Sequence, residues 1–406
     1  MMGVLVDKTH TKWGKCVPYL RYAPIPLLVI SVFMFLPIAG IRAKAILAGV
    51  FYVMFDTAFT AVEIPMQSLQ PLLFIEQHER NKAVAVSSTL GSTGSILPGG
   101  LYFALVLLVS GSEKSPMGNF LVASLLTSIG CVCIMVSARF LREKLTLPAG
   151  EKKRLSQTLR PLLKNGPLLI LLLTSLLNGP TNLAGNALVY FTTWNYADTG
   201  LSTALLFPLL QITSGASWML SSLCVPVLLK RFSKKGLFLA MCVAGAALNL
   251  GLFIIGYQSI WLYLAVKFFA NFPAGIVATL TTLMISDSIE YTEWVTGERT
   301  EGVTFSATKF IGKTSSAAIS ALTMFLLGLV NYDSKAMQAT QLAGGSIAQT
   351  YPRVLNMIYV LMTLSTAAAF LLQMLPMLFY KFQGAFQEKV LEELKDRRAR
   401  AQGDHT

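Results

Sequence analysis

Hydrophobic positions fall in long unbroken runs rather than in alternating or strictly amphipathic patterns. Runs long enough for a spanning helix of about 20 residues lie near 20–40, 45–70, 83–110, 118–141, 167–193, 203–229, 236–256, 259–286, 303–331 and 354–380. The pattern predicts an all-α, polytopic membrane bundle of about ten helices. Composition agrees: 54% of the 406 residues are hydrophobic and only 13% are charged, against about 25% in soluble domains.

The net charge of +13 raises the question of nucleic acid, and the placement of the basic residues answers it. Alternate connections (1–21, 76–82, 142–166, 230–235, 290–301 and 381–406) hold 24 of the 33 Lys and Arg. By the positive-inside rule these connections and both termini are expected on the cytoplasmic side of the cell membrane, with insertion through the spans themselves rather than by a cleaved leader. The charge thus follows membrane topology and predicts a bilayer partner, with no nucleic-acid partner.

The five cysteines lack metal-ligand spacing, and His10, His78 and His405 all lie in polar stretches. With no nucleophile–base pair, metal set or phosphate loop in view, no enzyme and no cofactor is expected. The basic connection 142–166 divides the chain into 1–141 with four helices and 167–381 with six, followed by a tail, 382–406. The tail's EKVLEELKDRR pattern reads as a solvated helix.

Ionisable residues inside apolar runs mark candidate sites, because burying them in a bilayer is costly. Asp56 and Glu63 are two turns apart on one predicted helix and share a face, as do Lys309 and Lys313. Lys267 lies alone in another run. The run NGPTNLAGN, 178–186, predicts a broken helix whose freed backbone groups line a cavity.

Three motifs point to a family. The opening GVLVDKTHTKWGKCVPY, the segment TAVEIPMQSLQPLLFIEQHER (60–80), and SDSIEYTEWVTGERTEG (286–302) followed by VTFSATKFIGKTSSAA together resemble the glycoside-pentoside-hexuronide:cation symporters, the melibiose permease family of the major facilitator superfamily. The three occur in consistent order and spacing as family helices three to twelve. The resemblance therefore implies a twelve-helix fold of which the first two helices are absent from this chain. Those helices carry further acids in the family, which accounts for an inventory of two deep acids against three deep bases.

The resemblance implies a secondary active transporter that couples a sugar to Na⁺ or H⁺ by alternating access, with no cofactor beyond the transported cation. It assigns Glu63, with Thr60, to cation coupling, and Asp56, on the same helix face as Glu63, is the further cation-coupling candidate. It places Lys313 near the substrate; Lys309, Gln67, Asn182 and Asn186 are the further substrate-binding candidates. The gating candidates are Asp7, Lys8, Arg80, Asp287, Glu290 and Arg299. Asp7 at a helix end is suited to accept from a helix N-terminus, and Asp287, Glu290, Glu293, Glu298 and Glu301 are expected to form ion pairs with Arg299 that break and reform during transport.

The sequence departs from the family pattern at Gln67, where the family's sugar-stacking tryptophan stands, at Ser88 for a helix-five arginine, and at Lys309 for a cation-site threonine. Other readings remain open at this point: Glu63 as a structural ion-pair partner of a lysine, the whole chain as a non-transporting remnant, or a carrier of lipids or other amphiphiles.

Overall fold

Each of the ten apolar runs contains helix in the computed structural model, which describes residues 2–9, 11–37, 41–74, 76–111, 115–141, 143, 162–201, 203–297 and 299–403. The helices are α1 (Met2–Lys8), α2 (Val17–Tyr22), α3 (Pro24–Met34), α4 (Ile41–Leu73), α5 (Gln77–Ser110), α6 (Pro116–Phe140), α7 (Gly166–Leu177) and α8 (Thr181–Tyr190). They continue with α9 (Thr203–Leu228), α10 (Lys234–Ile255), α11 (Ile260–Thr296), α12 (Glu301–Leu329), α13 (Ser334–Leu342), α14 (Ile347–Thr350), α15 (Pro352–Leu378) and α16 (Gly384–Gly403). Among the described residues, seven helical segments are long and apolar enough to cross a membrane.

Local chemistry sets the helix ends. Ser115 accepts from the Gly118 amide ahead of Pro116 to start α6, and Gly111, at φ +69°, closes α5 by donating to the Leu107 carbonyl. Asn165 accepts from the Leu168 amide to start α7 while its own amide donates to the Ser288 carbonyl on α11. The run 178–186 breaks as expected: α7 ends at Leu177, a turn follows, and α8 starts at Thr181. α8 then passes into a π-helical turn, Phe191–Asn195, which nothing in the sequence announced.

By contacts the described chain falls into two compact units. The first comprises Met1–Val84, Leu101–Lys164 and Ile289–Ala307; the second comprises Ala85–Gly100, Asn165–Ser288 and Thr308–Thr406. In the first unit, Val6, Leu20, Leu27, Leu69 and Leu72 form a core between α1, α2, α3 and α4. In the second, Phe191 lies among Tyr196, Tyr263 and Tyr359 with ring centroids 5.0–6.2 Å apart. α10 packs against α15, where Gly245 leaves space for the Phe370 ring; a Cβ there would sit 2.6 Å from it.

Candidate functional site: two polar helix stripes and a buried ion-pair cluster

Asp56, Thr60, Glu63 and Gln67 occur at steps of four, three and four residues on α4, so the helical repeat places them in one stripe. All four are half-buried. The Thr60 hydroxyl donates to the Asp56 carbonyl at 2.7 Å. Pro65 lies two residues beyond Glu63 within the helix. It has no N–H for the i−4 bond, and the repeat puts it on the side of α4 opposite the stripe. The stripe thus gathers carboxylate and hydroxyl oxygens, donors that hard cations take.

α12 carries a second stripe in the other unit, with Lys309, Lys313, Ser316 and Ser320 in the same rhythm. α8 meets it side by side. Asn182 Nδ2 donates to Ser316 Oγ at 3.3 Å, and one turn on Asn186 Nδ2 donates to Ser320 Oγ and Thr323 Oγ1, both at 3.2 Å. The sequence-derived substrate candidates Asn182 and Asn186 thereby bond the stripe of α12 on which Lys313 and Lys309 fall. Lys267, on α11, is buried with its Nζ 3.5 Å from the Met362 carbonyl.

The third feature is a cluster of charged side chains in the first unit. Arg80 and Glu290 are buried and paired through Nη1–Oε1 at 2.7 Å. Arg299 bonds Glu301 at 2.5 Å and Glu293 at 3.2 Å, and Lys15 stands 4.0 Å from Glu301. Glu143 accepts from the Lys15 and Cys16 amides at 2.9 and 2.7 Å, at the start of α2. Asp7 accepts from the amides of Gly302 and Val303, both at 2.9 Å. These are orphan donors in the first turn of α12, so Asp7 supplies from a remote helix what an N-cap side chain supplies locally.

That contact depends on two glycines. A Cβ on Gly3 would lie 2.0 Å from the Gly302 carbonyl oxygen, and one on Gly302 would lie 2.5 Å from the Gly3 carbonyl oxygen. Burial, with the negative Glu301 adding to it, pushes the Asp7 carboxyl up to about 7 against the pull of the two amides and Lys15.

Of the gating candidates, Asp7, Arg80, Glu290 and Arg299 share this first-unit cluster. Asp287 lies in the second unit and pairs with Lys234 at 2.5 Å; its charge, after the larger effect of burial, helps push the Tyr380 phenol well above its ordinary value. The neighbouring Lys235 donates to the carbonyls of Leu378 and Tyr380 past the end of α15. The Lys8 side chain and Glu298 lie outside the described residues. Sequence reasoning missed Lys15, Glu143 and Lys234, whose partners are far away in the chain. The proximity of Gly3 to the 302 position could have been sought from the glycines in both motifs.

The chain matches the MFS/sugar transport protein family over residues 1–384 and belongs to it. It is 27% identical to the isoprimeverose transporter of Lactiplantibacillus pentosus, over 98% of this chain and 80% of that protein. It is 26% identical to the glucuronide carrier protein homolog of Escherichia coli (strain K12), over 84% of this chain and 74% of that one. An inner membrane symporter of the same strain is 24% identical over 82% and 71%. The fold is similar to that of the E. coli fucose:proton symporter, with a TM-score of 0.59, 13% identity and coverage of 92% and 86%. It is also similar to a bacterial homologue of the iron transporter ferroportin in its outward-facing state, with a TM-score of 0.61, 13% identity and coverage of 93% and 85%. The protein is a multi-pass membrane transporter of the major facilitator type, and not an enzyme.

Proposed function

We propose that this protein carries a glycoside across the cell membrane together with Na⁺ or H⁺, by alternating access, with both termini cytoplasmic. Membership of a sugar-transport family and relatives named for isoprimeverose, for glucuronide and for symport support a sugar over a lipid or other amphiphile. The observation that carries the coupling part of this reading is the α4 stripe of Asp56, Thr60 and Glu63.

In this reading Glu63 is the coupling carboxylate, neutralised by Na⁺ or by a proton. Its charge state sets the affinity for sugar, and by reciprocity the sugar sets the affinity for the cation. Asp56 and Thr60 complete the cation ligands, Gln67 faces the sugar, and Lys313 with Lys309, Asn182 and Asn186 supplies donors to its hydroxyls. The first-unit cluster of Asp7, Arg80, Glu290 and Arg299 acts as a cytoplasmic latch that holds one conformation, and Lys8 and Asp287 are assigned to the same gate. The chain would then work as helical regions 1–141 and 167–381 joined by the cytoplasmic linker 142–166, with 382–406 as tail.

The test is uptake into proteoliposomes of labelled glycosides, each offered with an imposed Na⁺ gradient, an imposed H⁺ gradient or neither. Accumulation above equilibrium with one gradient is the expected result. Equilibration at the same rate with or without gradients would contradict coupling.

A further inference from the structure

In the first unit, the turn before α2 holds an aromatic ring against two cations. The Gly14 amide donates to the Thr11 carbonyl at 2.9 Å, and the Thr11 hydroxyl donates to the Gly14 carbonyl at 2.8 Å. Gly14 sits at φ +108°, a conformation that glycine takes without strain. Lys12 and Trp13 form the tip of this turn. Lys12 Nζ lies 4.9 Å from the Trp13 ring centroid and Arg21 Cζ lies 4.6 Å from it, both within the cation–π reach of about 6 Å.

Two like charges are thus held within about 10 Å of each other, one Debye length at 0.1 M salt. Arg21 Nε donates to the Ala138 carbonyl at 3.3 Å in the last turn of α6, and the next residue, Arg139, is exposed. No carboxylate among the described residues pairs with Lys12, Arg21 or Arg139. Glu143, which lies against Gly14, accepts instead from the amides of Lys15, Cys16 and Val17 at 2.9, 2.7 and 3.4 Å. Its single charge leaves the patch positive.

The helices place this patch at a bilayer surface. The span Val17–Met34 starts here and the span Pro116–Phe140 ends here, so the bond from Arg21 to Ala138 joins two span ends on one side of the membrane. Trp13 and the exposed Tyr22 are residue types that collect at headgroup level, and the exposed Phe140 offers the acyl chains an apolar contact. A ligand for this place needs negative charge toward the cations and an apolar part toward the bilayer. We propose that Lys12, Trp13, Arg21 and Arg139 form a binding site for the headgroup of an anionic membrane phospholipid. The phosphate oxygens accept from the Lys12 ammonium and from the Arg21 guanidinium nitrogens that Ala138 does not use. On the cytoplasmic side proposed above, the site faces the leaflet that carries anionic lipid. It does not depend on which sugar or cation the protein moves.

The test is retention of dioleoyl phosphatidylglycerol against dioleoyl phosphatidylcholine by the purified full chain from equimolar mixed micelles, read by native mass spectrometry. The parent is expected to prefer phosphatidylglycerol by at least about tenfold. Lys12→Gln is expected to cut that preference about fivefold, which is what one basic residue near a charged lipid surface supplies, and Lys12→Gln/Arg21→Gln to cut it at least about tenfold. Lys335→Gln removes the same charge from an exposed position in the second unit and is expected to leave the preference within about twofold. Because Arg21 also bonds α6, melting curves establish that the double variant is folded; Lys12 is exposed, so Lys12→Gln decides if it is not.

Equal retention of the two lipids by the parent overturns the proposal. So does a preference unchanged in Lys12→Gln, or one lowered as much by Lys335→Gln as by Lys12→Gln. Excess inorganic phosphate is expected to leave the lipid in place, and full displacement by it would identify a site for free anions and overturn the lipid assignment.

Discussion

Asp7 and Gly302 meet across a gap that only glycine permits: the Asp7 carboxylate accepts from the Gly302 amide at 2.9 Å while Gly3 lies against the Gly302 carbonyl. A helix of seven residues is thereby tied to the first turn of α12. Seven residues are too few to hold a helix by themselves, so the tie and the packing of Val6 into the first-unit core define α1.

The tie should respond to pH. The Asp7 carboxyl titrates at about 7 when docked, against an ordinary value of about 3.9 when released. The docked state therefore binds the extra proton. Docking is most favourable below the released value and loses that advantage as pH rises through about 7. Hydrogen exchange at the Gly302 and Val303 amides, corrected for the intrinsic pH dependence, is expected to be slower at pH 5.5 than at pH 8. In Asp7→Asn the difference is expected to vanish, since the amide does not titrate.

Glycine at positions 3 and 302 should be as necessary as the carboxylate. Gly3→Ala puts a methyl 2.0 Å from a backbone oxygen, a separation no backbone tolerates without moving. The expected outcome is a protein that folds, shows fast exchange at Gly302 and Val303, and has lost the Asp7-dependent pH effect. Protection equal to the parent would show that α1 does not need this approach.

Arg80 and Glu290 form a pair with almost no solvent contact. Removing one partner leaves a buried charge, which costs about 3–5 kcal/mol, whereas removing both together costs far less. Thermal unfolding in detergent should therefore show Arg80→Gln and Glu290→Gln each strongly destabilised, with Arg80→Gln/Glu290→Gln recovering most of the loss. Additive losses in the double variant would mean that the two side chains do not act as a pair.

The α8–α12 seam gives a milder expectation. Asn186 donates to two hydroxyls, on Ser320 and Thr323, so Asn186→Ala removes two neutral hydrogen bonds of about 0.5–1.5 kcal/mol each. If Asn186 also binds sugar, the half-saturation concentration rises about tenfold or more while the melting temperature falls by only a few degrees. A fall in stability with no change in half-saturation would restrict Asn186 to packing.

Much of the fold could be read from hydrophobic runs, because a bilayer imposes its thickness on every spanning helix. The break after Leu177 was legible too, since Gly179 and Pro180 interrupt a run that is otherwise continuous. The charged residues were legible as a set but not as pairs. Arg299 finds Glu301 and Glu293 close in sequence, yet Arg80 and Glu290 are 210 positions apart, Lys234 and Asp287 are 53 apart, and Glu143 reaches Cys16 across 127. Periodicity reports which face a residue occupies, and says nothing about which distant helix covers it. The π-helical turn at Phe191–Asn195 has no local sequence signal either.

Cation coupling through Glu63 is the central claim, and one comparison tests it most directly. Proteoliposomes holding the parent and Glu63→Gln are loaded for sugar exchange and for gradient-driven accumulation. The account predicts that Glu63→Gln keeps sugar exchange across the membrane and loses accumulation driven by Na⁺ or H⁺, because the amide holds the neutral state without a cation. Accumulation in Glu63→Gln equal to that of the parent would contradict it.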